Sequence, residues 1–259
     1  LTPTYTSYIP TFIVLVVLMY LFLGLFLWKV KEPKLVEEMH QQQKLYGIEE
    51  EVEEASGGKM PPAVRKSFIL ILTSIVLWFM AYNAATTKFS IYAEDVLQMP
   101  YNPPLMVAYA VAAIFFIPIG IVTGKIGRKK TILTGIVILA FAFILGIIAT
   151  AETKFLIFFT MGIAGIGWAA INVNSYPMVV EMARGSNIGK YTGYYYTASM
   201  AAQIVTMDYL LGRPEPRLLF PYSVFFCVIA FITMSFVKHG DSKPIPKSKL
   251  EAFADPEEA

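Results

Sequence analysis

Within otherwise apolar stretches of this chain, amides, hydroxyls and aromatic rings recur at helical spacing. Trp168, Asn172, Ser175 and Tyr176 fall at i, i+4, i+7 and i+8, which places them on one face of a helix. Thr192, Tyr196, Ser199, Gln203 and Thr206 repeat the arrangement further on, and Asn83, Thr86, Thr87 and Ser90 share a face upstream. Such side chains perform no covalent chemistry. Amides donate and accept hydrogen bonds and rings offer flat surfaces for stacking, so the chemistry on offer is recognition. In hydrocarbon these groups are costly unless they meet a partner or water, and they must face other helices or a lined pathway. Both outcomes fit Asn172 and Asn174, which can bind a ligand or simply hydrogen-bond across helices. Tyr194, Tyr195 and Tyr196 point in three directions, so one at most lines a cavity.

The elements that hold these residues follow from composition. Of 259 residues, 56% are hydrophobic and 15% charged, with a mean hydropathy of +0.57. The apolar residues gather in runs of about twenty, enough to cross ~30 Å of hydrocarbon. This is the pattern of an all-α integral membrane protein. A net charge of +2 gives no reason to expect nucleic acid as a partner. Cys227 is the single cysteine, and His40 and His239 lie in polar segments without metal-ligand spacing. No cluster of His, Cys and carboxylate supports an enzyme, and no cofactor or metal is expected. Leu1 stands first, without a basic segment of the kind that opens a cleavable signal; the sequence reads as a fragment.

Seven crossings are expected, at about 8–28, 67–92, 105–123, 131–149, 155–180, 191–211 and 219–237. All of the 21 Lys and Arg except Lys88, Lys154, Arg213 and Arg217 fall in segments on one side, so the chain starts outside and ends in the cytoplasm. Residues 29–66 form the one long loop, either a solvated linker or a surface helix with Leu35, Met39 and Tyr46 toward the membrane. Residues 238–259 are charged, contain prolines and show no periodicity, the pattern of a disordered tail. Lys88 fits two roles, snorkelling to headgroups or lining the pathway. Gly189, Gly193, Thr197 and Ala201 form a small-residue flank expected to pack closely, as is Gly165, and Gly120 with Gly124 forms a similar site beside Pro118.

Gly120, Gly124, Lys125, Gly127, Arg128, Lys129 and Lys130 have the spacing of a loop motif, G-x3-D-[RK]-x-G-[RK]-[RK], with glycine at 124 in place of the acid. In this the chain resembles the major facilitator superfamily, where that loop clamps helix ends in one of two states. GIGWAAINVNSYPMVVEM and GKYTGYYYTASMAAQI, with YNAATTKFSIYA and LFPYSVFF, resemble the proton-linked sucrose transporter family and its bacterial relatives, within the glycoside, pentoside and hexuronide cation symporters.

The resemblance implies a fold and an activity. Residues 1–28 would be the last helix of an N-terminal bundle whose other five helices are missing upstream. Residues 29–66 would be the cytoplasmic linker, 67–237 the C-terminal six-helix bundle, and 238–259 the tail. The activity implied is alternating-access symport of a sugar, a disaccharide or glycoside, coupled to a proton or sodium ion at the plasma membrane, with the site near the midplane. Saccharides are neutral and rich in hydroxyls, so Asn83, Thr87, Trp168, Asn172, Tyr196, Ser199 and Gln203 are the expected binding residues. Gly120, Lys125, Gly127, Arg128, Lys129, Lys130 and Glu181 are the expected gate, with Arg184 and Lys190 beside Glu181. Proton coupling needs a buried carboxylate. Glu181 and Asp208 lie at span ends, so that acid is expected in the missing half. Two other readings are a carrier of the same fold with an amphiphile or lipid as cargo, and a seven-helix receptor.

Overall fold

The computed structural model describes residues 9–29, 37, 61–182, 188–205 and 215–241. The described elements are all helical: α1 (Ile9–Lys29), α2 (Pro62–Thr87), α3 (Phe89–Asp95), α4 (Asn102–Ile126), α5 (Arg128–Ile147), α6 (Leu156–Val180), α7 (Ile188–Ile204), a 3-10 turn (Pro216–Leu218) and α8 (Leu219–Ser235). The surface helix considered within 29–66 lies outside the described residues, as do Arg184, Thr206, Asp208, Arg213 and everything after 241. Six helices are long and apolar enough to cross a membrane, namely α1, α2, α4, α5, α6 and α8 with its preceding turn. Described α7 has 17 residues, and its expected continuation to 211 falls outside the described residues.

Two units make up the chain, Leu1–Ser56 and Gly57–Ala259. In the first, α1 is apolar around its whole circumference and closes on Trp28 and Lys29, whose ammonium lies 5.3 Å from the indole centroid. That pairing suits a helix end at a membrane interface.

In the second unit the helix ends follow local chemistry. Pro62 stands in the first turn of α2, where its missing N–H costs nothing, and the helix starts five residues before the expected span. At Lys88 the backbone takes φ −93° and ψ 0° and the chain restarts as α3, so the span expected at 67–92 is a long helix followed by a short separate one. Phe89, Tyr92 and Ala93 of α3 are buried. The Tyr92 hydroxyl lies 3.1 Å from the carbonyl of Gly146 and 3.3 Å from that of Ala149, tying α3 to the end of α5, where the Gly146 carbonyl also accepts from the Ala149 N–H at 3.3 Å. Gly127, at φ +91°, separates α4 from α5.

α6 packs extensively against both α5 and α4, α8 against α2 and α5, and α7 against α2 and, less, α6. The contacts are closest at glycines. A Cβ on Gly165 would lie 2.4 Å from the Ala108 carbonyl oxygen, so α6 and α4 meet backbone to backbone. Gly135 and Gly167 do the same for α5 and α6, and the Phe220 ring of α8 fills the space beside Gly146. Lipid tails are as apolar as leucine, so close approach and interhelical hydrogen bonds carry the association of these helices. Ser223 supplies one such bond, its hydroxyl lying 2.9 Å from the Ala81 carbonyl oxygen.

Gly165 packs as expected; among the described residues, two other expected packing sites meet no close neighbour. On α7, Gly189, Gly193, Thr197 and Ala201 are exposed, and neither glycine has a neighbour within 4 Å of an added Cβ. Likewise Gly124 faces open space and Gly120 only grazes Val173. On α4 the close-packing residues are Ala108 and Ala112, one helical turn apart on the face toward Gly165. α5 is a partner of the same kind for α6, through Gly135. Residues 238–241, assigned to the tail from sequence, make hydrogen bonds to α2 and α5 and belong to the bundle.

Candidate functional site

The polar face of α6 divides into two parts. Toward its C-terminal end it is spent on α7: the Ser175 and Tyr195 hydroxyls are 3.0 Å apart, and the Tyr176 and Thr192 hydroxyls 3.1 Å apart. Asn174 is buried and donates to the Ala170 carbonyl of its own helix at 2.8 Å, which makes it structural. One turn earlier the face is not consumed in this way. Trp168 is half-buried and lies flat on Tyr82 of α2, with centroids 3.7 Å apart and rings at 1°. Phe79 meets the indole edge-on at 5.1 Å. Asn172, also half-buried, reaches the Trp168 carbonyl only at a long 3.4 Å.

Next to Tyr82 stands Asn83, whose Nδ2 is enclosed without a hydrogen-bond partner among the described residues, as is the Tyr82 hydroxyl. An enclosed donor left unpaired costs about 1–3 kcal/mol, and a ligand or water that accepts from it recovers that cost. α2 and α6 therefore meet through stacked rings, and the two enclosed donors both lie on α2.

The other expected binding residues are placed differently. Thr87 is exposed in the last turn of α2, and Gln203 is exposed on α7. Tyr196 is exposed, its ring 5.4 Å from that of Tyr195 and 6.3 Å from that of Tyr176. Ser199 is buried and donates to the Tyr196 carbonyl at 3.0 Å, so its hydroxyl is used within α7. Trp168 and Asn172 share a face of α6 that meets Phe79 and Tyr82 of α2, and Asn83 follows Tyr82 on α2. Tyr196 and Ser199 belong to α7. Tyr82 and Phe79 were missed from sequence because they sit in an apolar run, where a ring reads as packing; an aromatic directly before Asn83 was the available signal.

At the far end of α6 the basic loop forms a clamp. Arg128 pairs with Glu181, just past α6. Lys129 Nζ donates to the Ser235 carbonyl at the end of α8, at 2.8 Å. Gly127 accepts from the Thr131 hydroxyl at 2.8 Å. Lys125, Lys130 and Gly120 are exposed and take no part. Glu181 thus answers to Arg128; Lys190 lies 5.9 Å from the centroid of the Tyr194 ring, and Arg184 is outside the described residues.

A multi-pass bundle of membrane helices with a charged clamp at one end has the architecture of a membrane carrier. The family model of the Major Facilitator Superfamily matches residues 1–207, and the chain belongs to that family. It is a family of transporters, not enzymes, and it leaves no room for the receptor reading. None of the curated proteins matches the chain. Among solved structures, the human organic anion transporter MFSD10 (TETRAN) is similar at 13% identity and a TM-score of 0.54, over 73% of this chain and 50% of that one. A bacterial homologue of the human drug peptide transporters PepT1 and PepT2 is similar at 15% identity and a TM-score of 0.52, over 74% of this chain and 48% of that one. These likenesses bear on the fold. The chain spans about half the length of the solved structures it matches.

Proposed function

We propose that the protein is a secondary carrier of the plasma membrane that moves a sugar, a disaccharide or glycoside, by proton or cation symport through alternating access. The observation that carries this reading is the Trp168–Tyr82 ring pair with the unpaired amide of Asn83 beside it. Rings stack on the C–H faces of a pyranose, and amides meet its hydroxyls. Asn172 is the second amide of the site. The described long helices carry no Asp or Glu, so the acid that couples transport to a proton belongs to residues outside them. The 29–66 segment acts as the linker between two helical halves.

Uptake of a labelled disaccharide into proteoliposomes tests the proposal. Acidifying the exterior should raise accumulation. Asn83→Leu or Asn172→Leu should raise the half-saturating sugar concentration about tenfold, the factor set by one hydrogen bond to a buried partner. Trp168→Leu should do at least as much. Sugar uptake that ignores all three changes would remove this site, and the absence of any sugar uptake would remove the cargo.

A further inference from the structure

Beyond the clamp of the basic loop, the segment that follows α8 crosses the same end of the bundle. Lys238 donates its backbone N–H to the Ser67 hydroxyl at 3.2 Å, and His239 Nδ1 lies 2.8 Å from that same oxygen, in the first turns of α2. Gly240 then turns the chain at φ +85°. It lies so close to the end of α6 that a Cβ would stand 2.8 Å from the Met178 carbonyl oxygen and 2.5 Å from Met182 Cε. Asp241 follows. One of its carboxylate oxygens accepts from the backbone N–H groups of Arg128 at 2.7 Å and Lys129 at 3.1 Å, the first two residues of α5.

Those two N–H groups have no partner within their own helix, and a carboxylate against them is favoured by charge and by the helix dipole. Gly127 has no side-chain cap to offer. An added Cβ there would meet both Asp241 oxygens, at 3.2 and 3.3 Å, so the glycine leaves room for the acid. Gly124 stands where the loop motif has its aspartate; Asp241, 113 residues after Arg128, brings a carboxylate to the loop from the far side. By holding the backbone at 128 and 129 it sets the Arg128 side chain against Glu181 and Lys129 against Ser235.

We infer that residues 238–241 are a clasp over the cytoplasmic end of the bundle, with Asp241 as the positioning residue of the loop clamp. Through it the first turns of α2 and α5 and the last turns of α6 and α8 are tied into one arrangement. Any movement of these ends past one another requires the clasp to open first.

The test uses the full chain with Cys227→Ser, so that one introduced thiol reports at a time. Met182→Cys lies under the clasp, and Ala149→Cys is a buried reporter at the opposite end. A membrane-impermeant maleimide is applied to vesicles of the orientation that presents each thiol. Asp241→Ala removes two exposed charge-assisted hydrogen bonds and should speed labelling at 182 at least about tenfold, leaving 149 unchanged. Asp241→Glu, which keeps the carboxylate, should stay close to the parent. Unchanged labelling at 182, or an equal rise at 182 and 149, would overturn the clasp, the second because it marks general loosening. If Asp241→Ala does not reach the membrane, the isosteric Asp241→Asn is judged by the same two rates.

Discussion

Gly165 gives the sharpest check on the packing that positions the site. A methyl there would sit 2.4 Å from the Ala108 carbonyl oxygen and 3.2 Å from the Ala112 nitrogen. Both are backbone atoms of α4, which no rotamer change can move, so α4 must shift bodily. Overpacking of this kind costs about 1–3 kcal/mol, against roughly 1 kcal/mol gained by replacing glycine with alanine inside a helix. The net for Gly165→Ala is a loss of up to about 2 kcal/mol, or roughly 4–8 °C in apparent melting temperature for a domain of this size. Gly193→Ala has the same propensity gain and open space around the new methyl, so it should hold or raise that temperature. Cys227 provides the assay. It is the only cysteine and is fully buried, so a thiol-reactive dye reads its exposure as the bundle is heated in detergent. If Gly165→Ala melts above the parent temperature, as propensity alone would have Gly193→Ala do, α4 and α6 do not cross at this contact, and the packing frame behind Trp168 and Asn172 fails with it.

Two further changes probe the ends of the bundle by the same melt. Arg128 and Glu181 are partly exposed, so Arg128→Gln or Glu181→Gln should cost no more than about 1 kcal/mol. The exchanged pair, Arg128→Glu with Glu181→Arg, should recover most of that loss; a double variant as weak as the sum of the singles would show that the two charges do not pair. Tyr92→Phe removes the hydroxyl that serves the end of α5, for about 1 kcal/mol and roughly 2–4 °C. An unchanged melt would mean that water serves those carbonyls equally well.

Helix positions were legible because hydrocarbon imposes a length and an apolar composition on any crossing. The ends of α1, α6 and α8 lie within two residues of the sequence reading. The break at Lys88 was not legible: Asn83, Thr86, Thr87 and Ser90 keep helical spacing straight through it, and periodicity is blind to a single residue leaving the helix. Which polar residue pairs with which was harder still. Ser175 and Asn172 are the same kind of signal in one dimension, yet the first is spent on Tyr195 while the second has only a long bond to its own backbone. The small residues of α7 and α4 have the pattern of close contact, but the pattern does not say against what, and α6 meets α4 at Ala108 and α5 at Gly135 instead. Asp241 had no local signature, since its partners lie more than a hundred residues away.

Gly135 of α5 and Gly167 of α6 face one another. A Cβ on the first would meet the carbonyl oxygen of the second at 2.9 Å, and a Cβ on the second that of the first at 2.8 Å. Each residue is already the smallest available, so a damaging substitution at one admits no compensating reduction at the other. Suppressors of such a lesion must arise elsewhere, at positions that let α5 and α6 separate along their length, and a genetic screen would find them away from the collision.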